Sequence, residues 1–220
     1  MAELPHPLTD QLLSLPAGAF RKADPSPDPA FYAQPRFVTH IDDGAIAAVT
    51  ALYREFLPAN GDILDVMSSW VSHLPPEIHY KSVTGHGMNA AELAANKRLT
   101  ACIVQDLNAN PALPFANDLF DGAGLCVSVQ YLQRPVEVFR EVRRVLRPGA
   151  PFVVSFSNRC FPTKAVAIWQ ALEGADQQQL VAAYMQAAGF GQAAVRATCP
   201  RHGDPLWGVI GRVPAQSPPA

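Results

Sequence analysis

The 220-residue sequence predicts an α/β protein: an open, mostly parallel sheet with helices on both faces and an antiparallel strand at its end. Three observations carry this expectation. Short apolar runs alternate with amphipathic runs of helical spacing along most of the chain. Several apolar runs lack the in–out alternation of a half-exposed strand, as strands buried on both faces do. A hydrophobic content of 49% over 220 residues is enough for one well-buried domain and too little for two.

The elements follow in order. Ile46, Val49, Leu52 and Phe56 have helical spacing, Asp42 or Asp43 can cap the start, and Pro58 lies just past the end. Residues 62–66 read as a short buried strand, and 79–84 as a second, closed by Gly85 and Gly87. Good helix formers fill 90–99, and 100–108 reads as a third strand. The fourth strand is the apolar run 120–132. A helix follows with Pro135 near its first turn, a stripe of Val138, Val142 and Leu146, and a stop at Pro148-Gly149. Residues 151–158 form the fifth strand, 164–172 and 176–190 two helices, the second ending at Gly189. The runs 193–198 and 205–213, joined by a polar link, suit an antiparallel pair. In such sheets ligands bind beyond the carboxyl ends of the strands, near the reversal of strand order.

A net charge of −2 without a Lys/Arg block argues against a nucleic-acid groove and for a small, weakly charged ligand. Cys102, Cys126, Cys160 and Cys199 have no metal-site spacing, and the first two are expected as small buried hydrophobes. With no signal-peptide pattern and no apolar run near the ~18 residues of a membrane span, the expected setting is reducing and cytoplasmic. The chain divides into an extension, 1–41, whose 23–30 stretch reads as an irregular lead-in; a domain, 42–213; and a disordered tail, 214–220.

One block is more specific. "LPFANDLFDGAGLCVSVQYLQRPVEVFREVRRVLRPGAPFVVSFSN", 113–158, resembles the second half of class I S-adenosylmethionine-dependent methyltransferases, where an "LPF…FD" approach precedes strand four and "E…RVLRPGG" precedes strand five. The resemblance implies a Rossmann-like, seven-stranded sheet, S-adenosylmethionine as cofactor and a small-molecule acceptor. In that family an acidic residue ends strand one, a GxGxG turn follows, an acid ending strand two holds the ribose hydroxyls, and one after strand three holds the adenine amine. Asp65 and Asp106 match the first and last. Met67, Ser68, Ser69 and Trp70 stand where the glycines belong, and Gly87 occupies the usual acidic position, with Asn89 or Glu92 as substitutes for it.

On this basis the cofactor-binding candidates are Asp65, Met67, Ser68, Ser69, Gly85, Gly87, Met88, Asn89, Asp106, Leu107, Ser128, Val129 and Gln130. Substrate-binding candidates are Tyr32, Arg36, His73, Asn158 and Arg159, and catalytic candidates are His40 and Tyr131; no metal is expected. Each has a plainer reading. Asp65 also suits a turn after a strand, and "SSWVSH" the capped start of a helix with Trp70 in the core. The segment 31–42 is either an active-site lid or a strap packing Phe31, Tyr32 and Phe37 on the sheet. The alternative to a methyltransferase is a non-catalytic relative that binds a nucleoside-type ligand or a partner protein, motivated by the missing glycines.

Overall fold

The structure is a computed structural model that describes residue 12 and residues 15–215. Most of the start of the extension and the tail from 216 lie outside the described residues. Seven strands form one sheet in the order β3-β2-β1-β4-β5-β7-β6. They are β1 (Asp62–Val66), β2 (Ser82–Gly87), β3 (Ala101–Val104), β4 (Gly122–Cys126), β5 (Pro151–Ser157), β6 (Ala194–Thr198) and β7 (Leu206–Arg212). The first five run parallel, and β7 inserts antiparallel between β5 and β6. The order reverses between β1 and β4, which puts the natural crevice beyond the ends of these two strands.

Successive residues of β1 serve opposite cores, Ile63 one and Leu64 the other. In chain order the helices are α1 (Asp28–Phe31), α2 (Asp43–Phe56), α3 (Ala90–Ala95), α4 (Pro135–Val145), α5 (Ala167–Gln170) and α6 (Ala175–Ala187). On the Ile63 side, α2 buries Val49, Leu52 and Tyr53, and the Asp42 side chain accepts from Ala45 N at 2.8 Å to cap it. On the Leu64 side, α4 buries Val138, Phe139, Val142 and Val145 beside α6. Gly189, at φ +85°, turns the chain out of α6, with Phe190 N donating to Met185 O at 3.0 Å.

The third and fourth strands end earlier than expected, at Val104 and Cys126, and Val129–Tyr131 form a 3₁₀ turn instead; three further local expectations are corrected. First, the second strand is Ser82–Gly87 rather than 79–84, so its glycines lie inside the strand. A Cβ at Gly85 would stand 2.4 Å from the Leu99 side chain, and one at Gly87 2.3 Å from the Ser68 carbonyl oxygen. These glycines serve close approach, not termination. Second, no helix joins β1 to β2 among the described residues, so "SSWVSH" does not start one. Pro75-Pro76 removes donors, while Met67 and His73 take φ of 55° and 52°, outside the helical region. Third, Cys102 is exposed because β3 is an edge strand, and Cys126 is only partly buried. The lead-in 23–30 also gains order, ending in α1.

That lead-in is fastened by charge. Lys164, fully buried, meets Asp24 at 3.0 Å and donates to Ser26 O at 2.7 Å. Asp28 pairs with Lys22 and accepts from Asn108 Nδ2 at 2.9 Å. Buried charges persist when paired and hydrogen-bonded, and this set ties the extension to the loop after β3. No described helix is long and apolar enough to cross a membrane.

Candidate functional site

A cavity of about 300 Å³ opens beyond the carboxyl ends of β1 to β4. Its floor begins at Asp65, 5% exposed, whose carboxylate accepts from Ser68 Oγ at 2.6 Å. Burial raises its pKa from 3.8 to about 6, while hydrogen bonds from the Ser68 and Ser72 hydroxyls oppose the shift.

The loop after Asp65 folds back on β2, with Ser68 N donating to His86 O at 2.6 Å. Side chains replace the missing helix in holding it. Asn96 Nδ2 donates to Ser69 O at 2.9 Å and to Ser72 Oγ at 2.8 Å, Ser69 Oγ donates to Glu92 Oε2 at 2.5 Å, and Thr50 Oγ1 donates to His73 O at 3.0 Å. Glu92 and Asn89 also fasten the strap 32–41 that crosses the cavity. Arg36 N donates to Glu92 Oε1 at 2.7 Å, and Asn89 Nδ2 donates to Tyr32 O and Ala33 O at 2.9 and 3.1 Å. The Asn89 oxygen meanwhile caps α3. Both residues suggested as ribose partners are thus engaged by the strap. Trp70 is no core residue either: it is half-buried, donates to Val38 O at 3.0 Å and meets the Phe37 ring edge-on.

Beyond β3, Asp106 Oδ1 accepts from Asn108 N at 2.8 Å, a turn that fixes this carboxylate on the cavity wall beside Leu107. Met67, Ser69, Gly87, Met88 and Ser128 share the lining. Gly85, Val129, Gln130 and Asn158 do not. Gly85 faces Leu99. Val129 lies in the core, and the fully buried Gln130 donates to Val127 O at 3.0 Å. Asn158 Oδ1 accepts from Ser157 Oγ at 3.1 Å.

Tyr131, His40 and His73 all line the cavity, with different capacities. Burial pushes the Tyr131 phenol up to about 12, and its oxygen accepts from Phe161 N at 2.9 Å. It therefore keeps its proton near neutral pH, and its oxygen is already engaged by the backbone. Burial lowers the pKa of His40 and of His73, which leaves neutral imidazoles able to accept a proton. Arg159 reaches the rim but pairs with the buried Asp204 at 2.8 Å. Tyr32 lines the strap side with Arg36, whose guanidinium carbon lies 4.6 Å from the Phe31 ring centre and 5.3 Å from that of Phe161.

His86 escaped the sequence reading. It is 1% exposed on β2, between Val66 and Ile103, lines the cavity, and has no side-chain partner among the described residues. Burial holds its pKa down at about 4, so it is neutral. A polar residue flanked by Gly85 and Gly87 in a buried strand was the available signal. An orphaned buried polar group costs stability that an apolar side chain of similar size recovers. His86→Leu is therefore expected to raise unfolding free energy by about 1–3 kcal/mol in urea titration. A loss of stability would mean that the imidazole is bonded.

Residues 69–154 match the family model described as a methyltransferase domain. No curated protein sequence matches significantly. Among solved structures, the chain is similar to the [4+2]-cyclase SpnF, with 16% identity and a TM-score of 0.61 over 85% of this chain and 92% of that one. It is similar to an S-adenosylmethionine-dependent methyltransferase from Mesorhizobium loti, with 18% identity and a TM-score of 0.55 over 77% and 99%. Phosphoethanolamine N-methyltransferase 2 of Haemonchus contortus, in complex with S-adenosylmethionine, is matched at 14% identity and a TM-score of 0.56 over 74% and 51%. These likenesses establish the class I methyltransferase fold.

Proposed function

We propose that this chain, a protein of the class I methyltransferase fold, binds S-adenosylmethionine beyond β1 to β3 and transfers its methyl group to a small acceptor under the strap. The observation that carries the reading is one cavity at the strand-order reversal, lined beyond β1 and β3 by the carboxylates of Asp65 and Asp106 and crossed by residues 32–41.

Asp65 fits the cofactor. A carboxylate buried beside a cavity, with its proton affinity raised by desolvation, gains most from a cationic partner, and the amino-acid end of the cofactor offers an ammonium. Asp106 suits the adenine amine, with Met88 and Leu107 as apolar flanks. Bound there, the cofactor supplies an electrophilic methyl group on a sulfonium that leaves as a neutral thioether. The chain's own work is then orientation and exclusion of water, which supply up to ~7–11 kcal/mol in well-aligned cases. The strap takes the role of lid, fastened by Asn89, Glu92 and Trp70. His40 or His73, neutral beside the cavity, takes the proton of an alcohol or ammonium acceptor.

Asp106→Ala tests the placement. Calorimetric titration is expected to show affinity for S-adenosylmethionine weakened by about 1.5–3 kcal/mol, the range for a hydrogen bond to a charged group. Unchanged affinity would remove Asp106 from the site.

A further inference from the structure

The acceptor side of the cavity has a chemical character of its own. Tyr131 stacks on Phe161 at 5.9 Å, and Phe161 meets Phe31 edge-on at 5.3 Å and the His40 ring at 5.4 Å. Into this aromatic group the strap delivers Arg36. Its guanidinium lies over Phe31 and Phe161, and 5.9 Å from the Tyr32 ring centre. One terminal nitrogen donates to Phe31 O at 3.0 Å; the other is buried with no acceptor.

The remaining charges leave Arg36 without a counterion. Arg159, the other arginine on the cavity, is neutralised by Asp204. Glu92 accepts from the Arg36 backbone N–H and from Ser69, and forms no ion pair with the guanidinium. Asp28 is held by Lys22 and Asn108. Among the described residues no carboxylate pairs with Arg36. A partly buried guanidinium set among aromatic rings, one terminal nitrogen closed to water and without an acceptor, calls for an anion, and its planar fork suits a carboxylate. The aromatic faces around it suit a flat apolar body.

Building on the methyltransferase reading, we propose that the acceptor is an aromatic carboxylate carrying a hydroxyl or amine, its ring against Tyr131 and Phe161 and its anionic group on Arg36; the hydroxyl or amine takes the methyl from the sulfonium and gives its proton to His40 or His73. The cofactor's own carboxylate is the competing source of the same anion.

The test is calorimetry on the full chain. S-adenosylhomocysteine is titrated first, then, on the saturated protein, a panel of benzoate, cinnamate, indole and phenylpyruvate-type acids, each beside its neutral amide. At least one acid is expected to bind tenfold or more tightly than its amide, and Arg36→Gln is expected to abolish that preference while thermal unfolding stays near that of the parent. Acids and amides binding alike, or not at all, would overturn the proposal. So would an Arg36→Gln variant that loses affinity for S-adenosylhomocysteine but keeps it for 5′-methylthioadenosine, which lacks the carboxylate. Failure of the parent to bind S-adenosylhomocysteine would instead remove the cofactor reading, and this proposal with it.

Discussion

Gly87→Asp, which supplies the acidic residue that the resemblance expects at the end of the second strand, is expected to break the site rather than repair it. Its Cβ would sit 2.3 Å from the Ser68 carbonyl oxygen and 3.1 Å from the Leu93 side chain. The nearer obstacle is backbone. It is fixed from both sides, by Ser68 N on His86 O and by Ser68 Oγ on Asp65. Relieving the clash means moving the loop, so the cost should reach about 3 kcal/mol, the upper part of the usual range for overpacking. Urea unfolding measures it. A glycine-poor loop lies where an acidic side chain would project, and glycine at 87 admits it. A Gly87→Asp protein of parental stability would refute this pairing.

The second large effect is on pH dependence and centres on Asp65. Its folded pKa is raised from 3.8 to about 6 by burial. Between these values the folded chain holds a proton that the unfolded chain has released, so stability falls as pH rises. The gap corresponds to roughly 3 kcal/mol, present as stabilisation below pH 4 and lost above pH 6. Asp65→Asn should remove that slope, as read from urea midpoints between pH 4 and 7. Ligand binding should run the other way: a cation on Asp65 favours the carboxylate, so affinity for S-adenosylmethionine should weaken as pH falls below about 6, with proton uptake by the free site. A stability profile in which parent and Asp65→Asn are parallel would show that Asp65 titrates normally.

The parallel sheet was legible because β1, β4 and β5 are buried runs and because α2 and α4 carry strong apolar stripes. The α2 segment shows both signals, an aspartate cap and apolar residues that turn to one core. Positions set by local chemistry were also readable: Asp65 and Asp106 line the cavity because one stands at the carboxyl end of β1 and the other two residues beyond β3. What escaped depends on distant partners. Nothing local reveals that Asn96, 24 residues beyond Ser72, holds the loop after β1, or that Glu92 joins this loop to the strap. The same holds for Gln130 and Arg159, polar residues near strand ends that bond within the protein, Gln130 to the chain at Val127 and Arg159 to Asp204. Gly85 and Gly87 read as strand enders because a glycine's local signal is the same whether it turns the chain or admits a neighbour.

A loop of serines and a tryptophan, without a glycine turn or a following helix, is proposed here still to accept the cofactor of this fold. Calorimetric titration of the folded protein with S-adenosylmethionine, and separately with S-adenosylhomocysteine, tests it most directly. Saturable binding of both in the micromolar range is expected. Absence of binding to either, with thermal unfolding intact, would contradict it and leave a methyltransferase fold put to another use.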